Sequence, residues 1–225
     1  MHQLARQALR GYAQLMLGMA VFLFAPGWTF DFWQAWLYLL VFGTASALIS
    51  FYLWKKDPQL LQRRVRGGPR GEKQKSQQRI LSLASIAFAG LMMLPALDHR
   101  FSWSRVPLAL VLLGEALVLA GFLVVFAVFR ENSFASATVE LAPGHKVITT
   151  GPYAIVRHPM YTGGLVLLLG TPLALGSWWG LLMFLPLLGA VLWRLLEEEK
   201  FLSASLPGYA QYRQTVRYRL LPFIW

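Results

Sequence analysis

Residues 145–163 read HKVITTGPYAIVRHPMYTG and place an Arg-His pair, two tyrosines, two prolines and glycines in a single connection between apolar runs. Arg157 offers a planar fork of donors suited to an anionic group, and His158 can donate to or accept from a polar ligand. The plainer account is an arginine snorkelling to lipid phosphate beside a histidine that caps structure. Pro159 is pre-organised for the first turn of a helix, so the pair stands where the next helix begins. Glycine and proline in 144–152 set a tight path that exposes backbone N–H groups, which suits a bound cofactor. Gly163 and Gly164 leave room for a ligand or for a packed helix. A second charged knot, Glu197-Glu198-Glu199, follows the next apolar stretch. Carboxylates in a row at a helix C-terminus oppose the helix dipole, so a cation is expected nearby, from Arg194, Lys200, Arg157 or a ligand. Tyr209, Tyr212 and Arg213 can close over such a site, or serve as interfacial aromatics and a lipid-binding arginine.

The elements that must carry these residues are membrane helices. Of 225 residues, 56% are hydrophobic and only 14% charged, with mean hydropathy +0.49; a soluble domain carries roughly a quarter charged residues. Apolar runs near the ~20 residues of a bilayer span recur at 9–25, 34–54, 80–97 and 107–129. The 165–196 stretch is too long for one ordinary span. Gly176-Ser-Trp-Trp-Gly180 breaks it into a hairpin, 160–175 and 179–196. The expectation is an all-α, polytopic membrane protein of about six spans in a single domain. Residues 1–130 supply four spans, and 131–225 supply the loop, hairpin and tail of the catalytic part. The first run follows Arg6 and Arg10 but has no small-residue cleavage site, so it is read as a membrane helix. The 55–79 segment, polar, basic and broken at 67–71, is expected to be a solvated loop. The tail, ending LLPFIW, is expected against the membrane surface.

Six spans leave only Arg100 and Arg105 on the outer side, out of 21 lysines and arginines, as expected when basic loops stay cytoplasmic. The net charge of +11 is thereby explained without a nucleic-acid partner. Absent cysteines exclude disulfides and Cys-ligated metals, and no His, Asp or Glu spacing suggests a metal site. No Rossmann or P-loop glycine pattern is present. Glu115, inside the fourth span, is read as protonated or hydrogen-bonded and structural, although an ionisable group at that depth raises a functional possibility.

At His145-x-Val-Ile-Thr-Thr-Gly-Pro-Tyr153, Arg157-His-Pro-Met-Tyr161-x-Gly163, Glu198-Glu199 and Gly208-Tyr209-x-x-Tyr212, the sequence resembles the isoprenylcysteine carboxyl methyltransferase family and the related membrane phospholipid methyltransferases. The resemblance covers roughly 145–225 and implies methyl transfer from S-adenosyl-L-methionine in a cytosolic pocket, to a lipophilic acceptor arriving from the bilayer. It implies His145, Tyr153, His158, Tyr161 and Gly163 as cofactor-binding, with Glu199, Tyr209 and Tyr212 beside them. Arg157, orienting the acceptor, and Glu198 are the expected catalytic pair. The short build suggests a bacterial inner-membrane protein with cytoplasmic termini, acting on an isoprenylcysteine-like carboxylate, a lipid or another small hydrophobic molecule. An NADPH-dependent reductase of sterol-reductase type and a non-enzymatic transporter or assembly factor are the rival readings.

Overall fold

The structure is a computed structural model and describes residues 2–225 except 68–70, 73, 140 and 142. Of the break expected at 67–71, Gly68 and Pro69 therefore lie outside the described residues. The described residues form helices α1 (His2–Gly27), α2 (Trp33–Lys56), α3 (Pro58–Val65), α4 (Lys75–Phe101), α5 (Leu108–Glu131), α6 (Pro159–Ala174), α7 (Leu181–Ser205) and α8 (Tyr209–Thr215), with a 3-10 turn at Gly151–Ala154. No strand occurs among them. Helices α1, α2, α4 and α5 are long and apolar enough to cross a membrane, and the chain is an integral membrane protein. The apolar runs locate each of them, and polar ends extend them. Helix α4 starts five residues before its expected run, because 75–79 continue the helix into the basic segment.

Helices α6 and α7 form the expected hairpin. It turns at Gly176, whose φ of +70° a side chain would strain. Ser177 donates to the buried Asp98 of α4, and Ser104 donates to the same carboxylate at 2.6 Å. This polar lock ties the hairpin turn to the α4–α5 connection. The first hairpin helix has 16 residues, fewer than a usual span of ~20, whereas α7 has 25.

Glycines bring α6 against α5. Gly114 and Gly121 on α5 meet Gly170 and Gly163 on the antiparallel α6, each pair set seven residues apart. A Cβ on Gly121 would lie 2.5 Å from the Gly163 carbonyl oxygen, and one on Gly114 would lie 2.2 Å from the Ala174 nitrogen. Without water to drive association, membrane helices gain chiefly by such close backbone approach. The apolar core spreads around this contact, from Met19 and Leu23 through Tyr38 and Leu91 to Val118 and Leu175. Gly121→Val is expected to force the pair apart and cost about 1–3 kcal/mol. A lowered thermal midpoint in detergent would show it, and an unchanged one would refute the close contact.

One expectation fails here. The 55–79 segment is not simply a solvated loop. Asp57 caps α3 by accepting from the Leu60 N–H at 2.9 Å, and Leu60 and Leu61 are buried against Val128 and Phe129. Glu72 and Gln77 point inward and are buried at 3% and 0% exposure. Their partner, described below, lies more than a hundred residues downstream, out of reach of any local pattern.

Candidate functional site

The loop after α5, the first turn of α6, the end of α7 and helix α8 line a cleft that is open to solvent. Its wall includes His145, Tyr153, Arg157, His158, Tyr161, Glu198, Tyr209 and Tyr212. Eight of the residues singled out in the sequence thus converge on one space. Gly163 and Glu199 stand outside that lining.

The Arg-His pair is fixed by backbone pairing. The Arg157 N–H donates to the Tyr218 carbonyl and the His158 N–H to the Arg219 carbonyl, both at 2.9 Å. The Thr162 hydroxyl adds a bond to the Leu220 carbonyl at 2.8 Å. The tail is therefore strapped to the start of α6, and Phe223 and Ile224 remain exposed. Pro159 begins α6, as its preference for the first turn dictates.

The three glutamates separate by helical rotation. Helix α7 continues to Ser205, so they do not sit at its C-terminus, and the expected conflict with the dipole, confined to the last turn, does not arise. Glu197 faces solvent and pairs with Lys200 at 2.7 Å. The Glu198 carboxylate lines the cleft and accepts from the Tyr161 hydroxyl at 2.5 Å. Glu199 turns inward, 4% exposed. It accepts from Arg157 Nε at 2.7 Å, Arg219 Nε at 2.9 Å and the His158 ring at 3.3 Å. Burial alone would raise its pKa, but the hydrogen bonds from His158, Arg219 and Arg157 overcome that and hold it well below the usual carboxylate range. Arg157 spends further donors on the Val216 and Arg217 carbonyls at 2.9 and 2.8 Å. Arg157, held in this way, lines the cleft with Glu199 behind it.

The opposite wall is aromatic. His145 stacks on Phe134 with ring centroids 4.7 Å apart and planes 13° apart. Burial, reinforced by Arg63, lowers the His145 pKa against the pull of Glu198, so its ring is neutral at neutral pH. Tyr153 accepts from Asn132 at 2.8 Å, and its carbonyl accepts from the Tyr212 hydroxyl at 2.7 Å, which joins α8 to the loop. Burial pushes the Tyr153 phenol up to about 12. Gly163 lies at the α5–α6 contact, where its Cβ would meet the Gly121 carbonyl oxygen at 2.9 Å.

Sequence reasoning passed over Asn132 and Phe134, which line the cleft just past α5 and belong to no charged or glycine-rich pattern. It also passed over Glu72 and Gln77, which hold Arg194 at 2.7 and 2.8 Å. Arg194, considered only as a neighbour for the glutamates, reaches the cleft wall and donates to the Tyr161 oxygen at 3.1 Å.

In two residues that line the cleft, His145 and Tyr209, the Nδ1 and the hydroxyl are buried with no hydrogen-bond partner among the described residues. Buried polar atoms in native proteins are nearly always paired, so their pairing is left to a ligand or to water. The cleft thus offers a carboxylate for a cationic group, a flat aromatic wall for a ring and two unspent hydrogen-bonding atoms. That set suits a molecule bearing a cationic group and a heteroaromatic ring. Among the described residues no group of three His, Cys, Asp or Glu could hold a metal ion.

Comparison with known proteins falls on the same region. Residues 109–207, from the start of α5 to just beyond α7, match the phospholipid methyltransferase family. The chain is also 38% identical over 78 residues to the protein-S-isoprenylcysteine O-methyltransferase of Schizosaccharomyces pombe, covering 32% of this chain and 31% of that protein. The match thus spans about a third of the length of the curated relative.

Proposed function

We propose that the chain, whose residues 109–207 match the phospholipid methyltransferase family, transfers a methyl group from S-adenosyl-L-methionine to a lipophilic acceptor. The observation that carries this reading is the cleft itself. Glu198 is set to receive an ammonium group, the Phe134–His145 stack provides a wall for a purine, and His145 Nδ1 and the Tyr209 hydroxyl await partners. When bound, the donor would supply an activated methyl on a sulfonium, which bonds to the acceptor as the C–S bond breaks and the thioether leaves. The residues of the chain therefore work mostly by alignment. Glu198 grips the ammonium end; placed at the sulfonium it would oppose the loss of positive charge in the transition state. His158 and Tyr161, 5.7 Å apart between ring centroids, form the side of the cleft nearest α6.

The acceptor has its own approach. A groove shares Met160, Tyr161 and Arg194 with the cleft and runs between Ile80, Leu81 and Ala84 of α4 and Ala190 and Val191 of α7. Its apolar walls suit a hydrocarbon chain arriving from the bilayer. Arg64, over the Phe129 ring at 5.1 Å, stands at its polar end; burial lowers its pKa to about 10, leaving it cationic at neutral pH. Arg157 lines the cleft itself, so a carboxylate on the acceptor meets Arg64 along this approach and is oriented by Arg157 at the cleft. The isoprenylcysteine in the yeast relative's name is one acceptor of this kind. We place the cleft on the cytoplasmic side of a six-span protein, with both termini there.

Calorimetric titration of the detergent-purified protein with S-adenosylhomocysteine, with NADPH alongside, tests the reading. Saturable binding of the homocysteine compound alone is expected. Binding of NADPH alone would move the protein to the reductases.

A further inference from the structure

Arg194 and Glu198 lie one helical turn apart on α7, the spacing at which opposite charges meet. Among the described residues, however, no ion pair joins them. Arg194 is drawn the other way. Its Nη2 donates to Glu72 at 2.7 Å and to the Ala137 carbonyl at 2.9 Å, and its Nη1 donates to Gln77 at 2.8 Å. Only Nε turns toward the cleft, to the Tyr161 oxygen at 3.1 Å, and Tyr161 in turn donates to Glu198. Glu72 is itself fixed in place. The Val139 N–H donates to both of its carboxylate oxygens at 3.3 Å, and its side chain is 1% exposed. Glu72 lies outside the residues that match the family and was expected in a solvated loop.

We propose that Glu72 is a positioning residue for the cleft. By engaging Arg194 it keeps that cation off Glu198, so the Glu198 carboxylate stays available to a cationic group of the ligand. A buried cation stripped of its counter-ion seeks the nearest carboxylate, because leaving it unpaired in a low dielectric is costly. Without Glu72, that carboxylate is Glu198. The 55–79 segment thereby sets the charge offered by the cleft, although none of its described residues lines it.

The inference rests on the methyl-donor reading, and two ligands separate them. S-adenosylhomocysteine carries an ammonium; 5′-methylthioadenosine has the same nucleoside and thioether but no ammonium. Wild-type protein is expected to bind both. Glu72→Gln is expected to weaken S-adenosylhomocysteine at least about tenfold, the scale of a hydrogen bond to a charged group, and to leave 5′-methylthioadenosine unchanged. Glu72→Gln/Arg194→Gln, which removes the competing cation, is expected to recover most of the lost affinity. If Glu72→Gln does not fold, the same contrast is read on Glu72→Asp, whose carboxylate is withdrawn by one methylene. Equal losses for both ligands, or no loss for either, would overturn the role of Glu72 while leaving the donor reading in place. Failure of wild-type protein to bind either ligand would overturn the donor reading itself.

Discussion

Glu198→Ala is expected to weaken S-adenosylhomocysteine by about 10- to 100-fold and to abolish methyl transfer, while the protein still inserts and folds. The expectation follows from how little of the scaffold depends on this carboxylate. Among the described residues its one side-chain hydrogen-bond partner is the Tyr161 hydroxyl, which still accepts from Arg194 Nε after the substitution. The loss therefore falls on the ligand. Glu198→Gln keeps an acceptor without the charge and should fall between wild type and Glu198→Ala. Calorimetry on the purified variants reads both. Wild-type affinity in Glu198→Ala would remove the carboxylate from the site.

Glu199→Ala is expected to do the opposite, costing about 3–5 kcal/mol of stability, the scale for removing one partner of a buried ion pair. The substitution strands Arg157 and Arg219 and releases His158, which loosens the start of α6 and the strapped tail together. Thermal unfolding in detergent measures it, and a midpoint within a degree or two of wild type would contradict the account. The contribution of Glu199 also has a signed pH dependence. Its folded pKa lies below the ordinary value of 4.5, so the unfolded chain takes up its proton first on acidification. The stabilisation is fully present above that ordinary value and is lost progressively as pH falls below it toward the folded pKa. Glu199→Gln should therefore show a shallower fall in stability across the acid range than wild type.

The contrast between these neighbours explains which parts of the site were legible in the sequence. The Arg-His-Pro-x-Tyr run, the paired glutamates and the tail tyrosines mark the cleft because each is an improbable concentration of polar groups beside long apolar runs. The division of labour among Glu197, Glu198 and Glu199 was not legible. It depends on the rotation of α7 and on whether the helix stops at Leu196 or continues to Ser205. Glu72 was hidden for another reason. Its counter-ion Arg194 lies 122 positions away, and among basic neighbours a lone glutamate reads as surface. For Gly163 the sequence held a usable signal, since Gly114 and Gly121 repeat on α5 at the same seven-residue spacing as Gly163 and Gly170 on α6. That match marks a close helix contact, as the structure places it. The helices themselves were the easiest part, because the bilayer demands long apolar runs and the polar punctuation between them is sharp.

The central claim is that the methyl donor sits between the Phe134–His145 stack and Glu198. Ultraviolet cross-linking of radiolabelled S-adenosyl-L-methionine to the purified protein, followed by proteolysis and peptide mapping, tests it most directly. The account predicts label on peptides containing residues 132–161 and 198–212, competed by unlabelled S-adenosylhomocysteine and lost in Glu198→Ala. Competed label confined to the first two helices, or label that NADPH displaces and S-adenosylhomocysteine does not, would contradict it.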